Sequence, residues 1–113
     1  MAIDAQLKKG LLDGCVLQLI SKREMFSQEI VLEMRKCGFS DFSEGTLYPM
    51  LMRLEKEGCF TIVKKTSLNS PPRKFYALSQ TGEIRLKQFV SAWREMELNI
   101  RNIFAEEGED ETR

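Results

Sequence analysis

In the run SEGTLYPMLMRLEKEG, residues 43 to 58, Leu47, Met50, Leu51 and Leu54 recur at i, i+3, i+4 and i+7. That spacing puts them on one face of an α-helix. Ser43 is placed to cap this helix and Gly58 to close it. At about 100° per residue, the face away from the stripe carries Gly45, Pro49, Met52 and Lys56, with Tyr48 and Arg53 on its flanks. A solvated face would ordinarily be charged, so Tyr-Pro here points to a partner other than water.

The pattern extends to both sides of this run. From Asp4 to about Ser21, Leu7, Leu11, Leu12, Cys15, Val16, Leu17, Leu19 and Ile20 crowd more than one face, which predicts a helix buried on two sides, part of it by something beyond its own domain. Ser27 is placed to cap a second helix with Ile30, Val31 and Met34 turned inward, ended by Gly38 past Cys37. After Gly58 the period shortens. FTIVKKT and RKFYALS are β-branched or alternating, and SLNSPP between them is a run of turn formers. A hairpin is predicted, with Lys64, Lys65, Arg73 and Lys74 as a basic rim.

Ser79 is placed to cap a last helix running from about Gln80 to Glu106. In it Leu86, Phe89, Trp93, Met96, Ile100 and Ile103 step by three and four, a heptad seam that Val90 widens. Such a helix would be ~40 Å long, against a radius of gyration of ~13 Å for a 100-residue domain. It must project, and its apolar seam calls for a second copy of the chain. The dimer contact is expected at these seam residues and at Leu11 and Cys15 of the first helix. The order helix, helix, helix, hairpin, long helix predicts a mainly α fold, a winged helix-turn-helix with a C-terminal dimerisation helix. The expected divisions are a winged-helix unit over 1–78, with its helix 4–21 also in the dimer interface, the dimerisation helix over 79–106, and an acidic tail over 107–113.

Composition narrows the function. The chain has 113 residues, 30% charged and 42% hydrophobic, the balance of an ordinary globular domain. No apolar run approaches bilayer length and MAIDAQLKKG lacks the order of a secretory signal, so a cytoplasmic location is expected. Net charge is zero overall but uneven: residues 1–78 hold 12 Lys+Arg against 9 Asp+Glu, and residues 79–113 hold 5 against 8. A nucleic acid meets the field of one face, so a basic N-terminal unit is compatible with it. With three cysteines, no histidine and no CxxC pair, a metal site lacks ligands, and Cys15, Cys37 and Cys59 read as buried or half-buried thiols. No glycine-rich phosphate loop or nucleophile–base cluster is present, so neither an enzyme nor a cofactor is expected.

The segments KGLLDGCVLQLI, SEGTLYPMLMRLEKEG and SPPRKFYALSQTGE, with the tryptophan of SAWREME, resemble the PadR family of bacterial transcriptional regulators, in its subgroup with one C-terminal helix. The resemblance covers the chain from about Leu7 to Phe104. It departs at Phe26, Ser27, Gln28 and Glu29, where the family usually has a His-Gly-Tyr-Glu-like sequence. The resemblance implies a homodimeric repressor that binds an inverted repeat in double-stranded DNA and is released by a small planar, phenolic or drug-like effector. It also implies an apolar pore at the dimer interface, in which Trp93 holds the matching place and Gln18 would face the same space.

Physical reading assigns roles within that frame. Ser43 and Thr46 at a helix N-terminus suit phosphate oxygens, and Gly45 lets the backbone come close. Tyr48 and Pro49 offer flat surface to thymine methyls and sugar edges. Lys64, Lys65, Arg73 and Lys74 supply salt-sensitive attraction, and Gln28 and Arg53 complete the DNA set. Each has a structural competitor. Ser43 is also an N-cap; Tyr48 could pack on Phe42 or the wing; Pro49 could only bend the helix; the lysines could guard a strand edge; Arg53 could pair with Glu57; and Trp93 could simply fill a dimer core. The competing function is a winged-helix module that binds protein rather than DNA.

Overall fold

The computed structural model describes residues 3–105, and the predicted acidic tail lies outside them. In chain order the elements are α1 (Ile3–Lys8), α2 (Leu11–Lys22), α3 (Ser27–Lys36), α4 (Glu44–Lys56), β1 (Phe60–Ser67), β2 (Ser70–Leu78) and α5 (Gln80–Ala105). The predicted first helix is therefore two. Gly10 takes φ +86°, a left-handed conformation that ends α1 and starts α2 although the apolar spacing runs on across it.

The second predicted helix also begins differently. Ser27 is the first helical residue rather than the cap; Phe26 holds the cap position, and its N–H donates to Glu29 Oε1 at 3.1 Å. At the other end Gly38 has φ +121° and the Phe39 N–H reaches back to the Met34 carbonyl, as expected of a glycine-terminated helix. Ser43 does cap α4: its Oγ accepts from the Thr46 N–H at 3.3 Å. Gly58 closes it, with Cys59 N–H on the Leu54 carbonyl.

The hairpin turns on Leu68 and Asn69, and the two prolines lie inside β2 rather than in the turn. Lys65 pairs with Arg73 and Ser67 with Ser70, so Thr66 alone stands opposite Pro71 and Pro72. A bulge on an edge strand tolerates residues with no N–H to give. An isolated antiparallel bridge has no counterpart in the sequence pattern: Met25 exchanges both backbone hydrogen bonds with Tyr76, at 3.0 and 2.8 Å, tying the α2–α3 link to the wing.

The core is Val16, Ile20, Met25, Ile30, Val31, Met34, Phe42, Leu47, Met50, Leu51 and Tyr76, drawn from α2, α3, α4 and β2 and from the links that precede α3 and α4. A smaller cluster of Leu17, Leu54 and Cys59 receives Leu86 of α5. Here α5 is fixed tightly. Ser79 Oγ accepts from the Gly82 N–H and donates to the Gly58 carbonyl, and a Cβ on Gly82 would sit 2.2 Å from the Cys59 carbonyl oxygen. Two turns later Phe89 lies on Gly14, where a Cβ would come within 2.3 Å of its ring. Thus α2 is covered largely by its own chain, and Leu86 and Phe89, read as seam positions, pack within it. The seam beyond is bare: Trp93, Met96, Ile100 and Ile103 are 39 to 68% exposed. The molecule measures 61 × 29 × 25 Å, the long axis far beyond the other two.

Candidate DNA interface

The stripe Leu47, Met50, Leu51 and Leu54 is buried, which turns the other side of α4 outward. Gly45, Thr46, Tyr48 and Pro49 are exposed along it, and Ser43 is half-buried at its start. The first-turn N–H groups of Glu44 and Gly45 have no intrahelical acceptor, so they too face outward. Ser43 Oγ lies 3.3 Å from Thr46 Oγ1, which groups two hydroxyls with those N–H groups at one point. Pro49 stands within the second turn, and α4 continues through it to Lys56.

Tyr48 leans toward α3. Its hydroxyl is 3.4 Å from Ser27 Oγ, and with Phe26, Ser27, Gln28, Pro72, Arg73, Lys74 and Tyr76 it lines a hollow of about 270 Å³ between α3, α4 and the wing. Gln28 and Tyr48, 20 residues apart in sequence, are thus brought together with two of the four predicted wing cations.

The wing's charge is more contained than the sequence suggests. Lys64 stands opposite Lys74 and Lys65 opposite Arg73, like-charge cross-strand pairs that repel. Partners from other elements relieve this. Lys65 forms an ion pair with Glu24, and Lys74 one with Glu55 at 3.4 Å. Burial opposes the Lys74 charge, but Tyr76 and Glu55 outweigh it and leave the ammonium's pKa raised. Arg73 lies over the Phe26 ring at 4.4 Å. Lys64 makes no ion pair among the described residues.

Arg53 is not part of this surface. Its guanidinium forks onto Asp13 of α2 at 2.7 and 2.9 Å, and that hydrogen-bonded pair holds it more firmly charged. The alternative pair with Glu57 is not formed; Glu57 takes Arg85 at 2.8 Å. Bidentate pairing across 40 residues fixes the angle between α2 and α4.

A second concavity lies on the far side of α2. Leu7, Leu11, Leu12, Cys15, Phe39, Phe89 and Trp93, with Lys8, line an apolar groove of about 340 Å³. Trp93 is where the sequence put it, but Gln18 is exposed elsewhere on α2 and lines none of it. Cys15 is half-buried and Cys59 buried, whereas Cys37, expected to be at least half-buried, is exposed at the end of α3. Burial pushes both the Cys15 and Cys59 thiols up.

Three helices in which the third presents an exposed N-terminal face, followed by an antiparallel wing beside it, define a winged helix-turn-helix protein. The chain belongs to the transcriptional regulator PadR-like family, whose match covers residues 16–88. It is similar to the crystal structure of a PadR-like transcriptional regulator from Bacillus cereus, with 34% identity, a TM-score of 0.80, and coverage of 88% of this chain and 96% of that one. A Streptococcus transcriptional regulator matches at 36% identity and a TM-score of 0.79, over 87% of this chain and 96% of that one. An uncharacterized protein of Lysinibacillus sphaericus is 27% identical over 106 residues, 92% of this chain and 96% of that one. The protein is therefore a PadR-like transcriptional regulator, and among its described residues no helix is long and apolar enough to cross a membrane.

Proposed function

We propose that this regulator is a homodimeric repressor that binds an inverted repeat in double-stranded DNA, with α4 in the major groove and the wing on the flanking backbone. The observation that carries the reading is the outer face of α4, where Gly45, Thr46, Tyr48 and Pro49 are exposed beside a hollow walled by Arg73 and Lys74. At the N-terminal end of that face Gly45, Thr46 and Pro49 carry no long side chain that would hold the helix away from base edges. Ser43, Thr46, Gln28 and the wing cations Lys64, Lys65, Arg73 and Lys74 take phosphates; Arg53 orients α4 through Asp13 instead.

Tyr48→Ala tests the reading. It should weaken binding to the cognate repeat by about tenfold or more, in line with about 1–3 kcal/mol for a base-reading contact, and loss on random duplex should be far smaller. Equal losses on both would make Tyr48 a structural residue.

The second copy is proposed to cover the bare seam of α5, with Leu11 and Cys15 at its margin. Ile100→Glu, at an exposed position, should leave the winged-helix unit folded and sediment as a monomer; an intact dimer would refute the seam. The apolar groove at Trp93 is the proposed effector site, for a small planar or phenolic compound. Quenching of the single tryptophan by such a compound, lost in Leu12→Glu, would support it. The pairing of Lys65 and Lys74 within the chain favours the other reading, a protein-binding module, and activity that survives charge reversal at Lys64, Lys65, Arg73 and Lys74 would establish it.

A further inference from the structure

Phe26 forms contacts that the DNA-binding reading leaves unused. Its ring meets Phe75 of β2 edge-on, with centroids 5.2 Å apart and planes at 69°. Arg73 lies over the Phe26 ring at 4.4 Å, and Lys65 lies over Phe75 at 4.6 Å. The result is a continuous series of contacts, cation to ring to ring to cation, that ties Phe26 at the start of α3 to both strands of the wing. Two of its four members are held by carboxylates as well. The Phe26 N–H is held by Glu29, and the Lys65 ammonium by Glu24.

We propose that Phe26 is a positioning residue for DNA binding, holding the Arg73 guanidinium against the hollow beside Tyr48 so that it meets the DNA backbone without first being ordered. This rests on the DNA-binding reading of the wing. Three features support it. Arg73 is repelled by Lys65 directly across the strand, so without a partner of its own it would swing into solvent. Its partner is an aromatic face and not a carboxylate, which leaves the charge and every N–H donor available to a phosphate; Lys65 and Lys74 by contrast hold glutamates. Phe26 and Arg73 also line the same hollow as Ser27, Gln28 and Tyr48, so the fixed guanidinium stands among the other proposed contacts.

The test is a double-mutant cycle read as binding of the full-length protein to a labelled mixed-sequence DNA duplex across a salt series. Arg73→Ala should lower the salt slope by about 0.9 for each wing engaged. Phe26→Leu, which keeps an apolar side chain but removes the face, should weaken binding by about 2- to 5-fold, the range expected of an exposed cation–π contact. That loss should vanish when Arg73 is already alanine, and Phe26→Tyr should restore it. A Phe26→Leu loss that persists in full beside Arg73→Ala overturns the positioning role while leaving the DNA reading intact. If Arg73→Ala alone changes neither affinity nor slope, Arg73 does not meet DNA and the positioning role falls, whereas silence of Lys64→Ala and Arg73→Ala together would take the wing out of the DNA reading as well.

Discussion

Replacing Gly45 by alanine adds one methyl group to the second residue of α4, on the face proposed to meet DNA. Built on this backbone, the new Cβ meets only Ser43 Oγ at 3.6 Å, an ordinary contact, and no positive φ is involved. The folded chain therefore has no reason to resist it. Alanine is favoured over glycine in a helix by about 0.8–1.0 kcal/mol in the interior and by less at an exposed first turn, so a gain of about 0.5 kcal/mol is expected. For a domain of this size that raises the melting temperature by about 2–4 °C. Binding should move the other way. A methyl group between the helix and the backbone displaces the N–H donors of Glu44 and Gly45 from phosphate oxygens, and one charge-assisted hydrogen bond lost at about 1.5 kcal/mol is about tenfold in affinity per half-site. Circular dichroism at fixed protomer concentration gives the first quantity and fluorescence anisotropy on a labelled duplex the second. A variant that is more stable and binds as well as wild type would remove the close backbone approach from the account.

Gly82→Ala should behave oppositely in the fold: its Cβ meets a carbonyl pinned by the Ser79 N–H at 2.9 Å, so overpacking of about 1–3 kcal/mol outweighs the helix gain and lowers the melting temperature, and an unchanged melt would contradict this packing. Alkylation of the native protein by iodoacetamide followed by peptide mapping should modify Cys37 first, Cys15 slowly and Cys59 last; early loss of Cys59 would mean that the base of α5 opens readily. Because burial raises the Cys15 and Cys59 thiols above their unfolded values, the unfolded chain releases these protons first, so the melting temperature should fall as pH rises past about 9. Cys59→Ser should blunt that alkaline fall, and an identical pH profile would assign it to other groups.

What was legible in the sequence was local. The four-residue stripe of α4, its Ser43 cap and Gly58 stop, the Ser79 cap of α5 and the change of period after Cys59 all depend on neighbours within a turn or a strand. Side chains that meet across the fold were not legible. Arg53 was weighed against Glu57 because i,i+4 spacing is visible, whereas Asp13, which holds it, lies 40 residues away. The same holds for Lys65 with Glu24 and Lys74 with Glu55, partners that turn a nominally basic rim into a largely paired one. Gly10 was passed over because the apolar spacing is continuous through it, and a left-handed residue leaves no periodic signal. The prolines of β2 read as turn formers because a lone antiparallel pair, with both strands at an edge, can absorb them at a bulge. At the candidate site the sequence supplied α4 and the wing but not their meeting point. Tyr48 touching Ser27, and Arg73 resting on Phe26, require the Met25–Tyr76 bridge that brings the start of α3 to the wing.

The central claim, that the face formed by α4 and the wing binds DNA, is tested most directly by the salt dependence of duplex binding. If the claim holds, the logarithm of the association constant falls linearly with the logarithm of salt concentration, and replacing Lys64 and Arg73 together by glutamate flattens the line by about 0.9 for each phosphate contact removed. A binding constant that does not change with salt, or a slope that survives those two replacements, would contradict it.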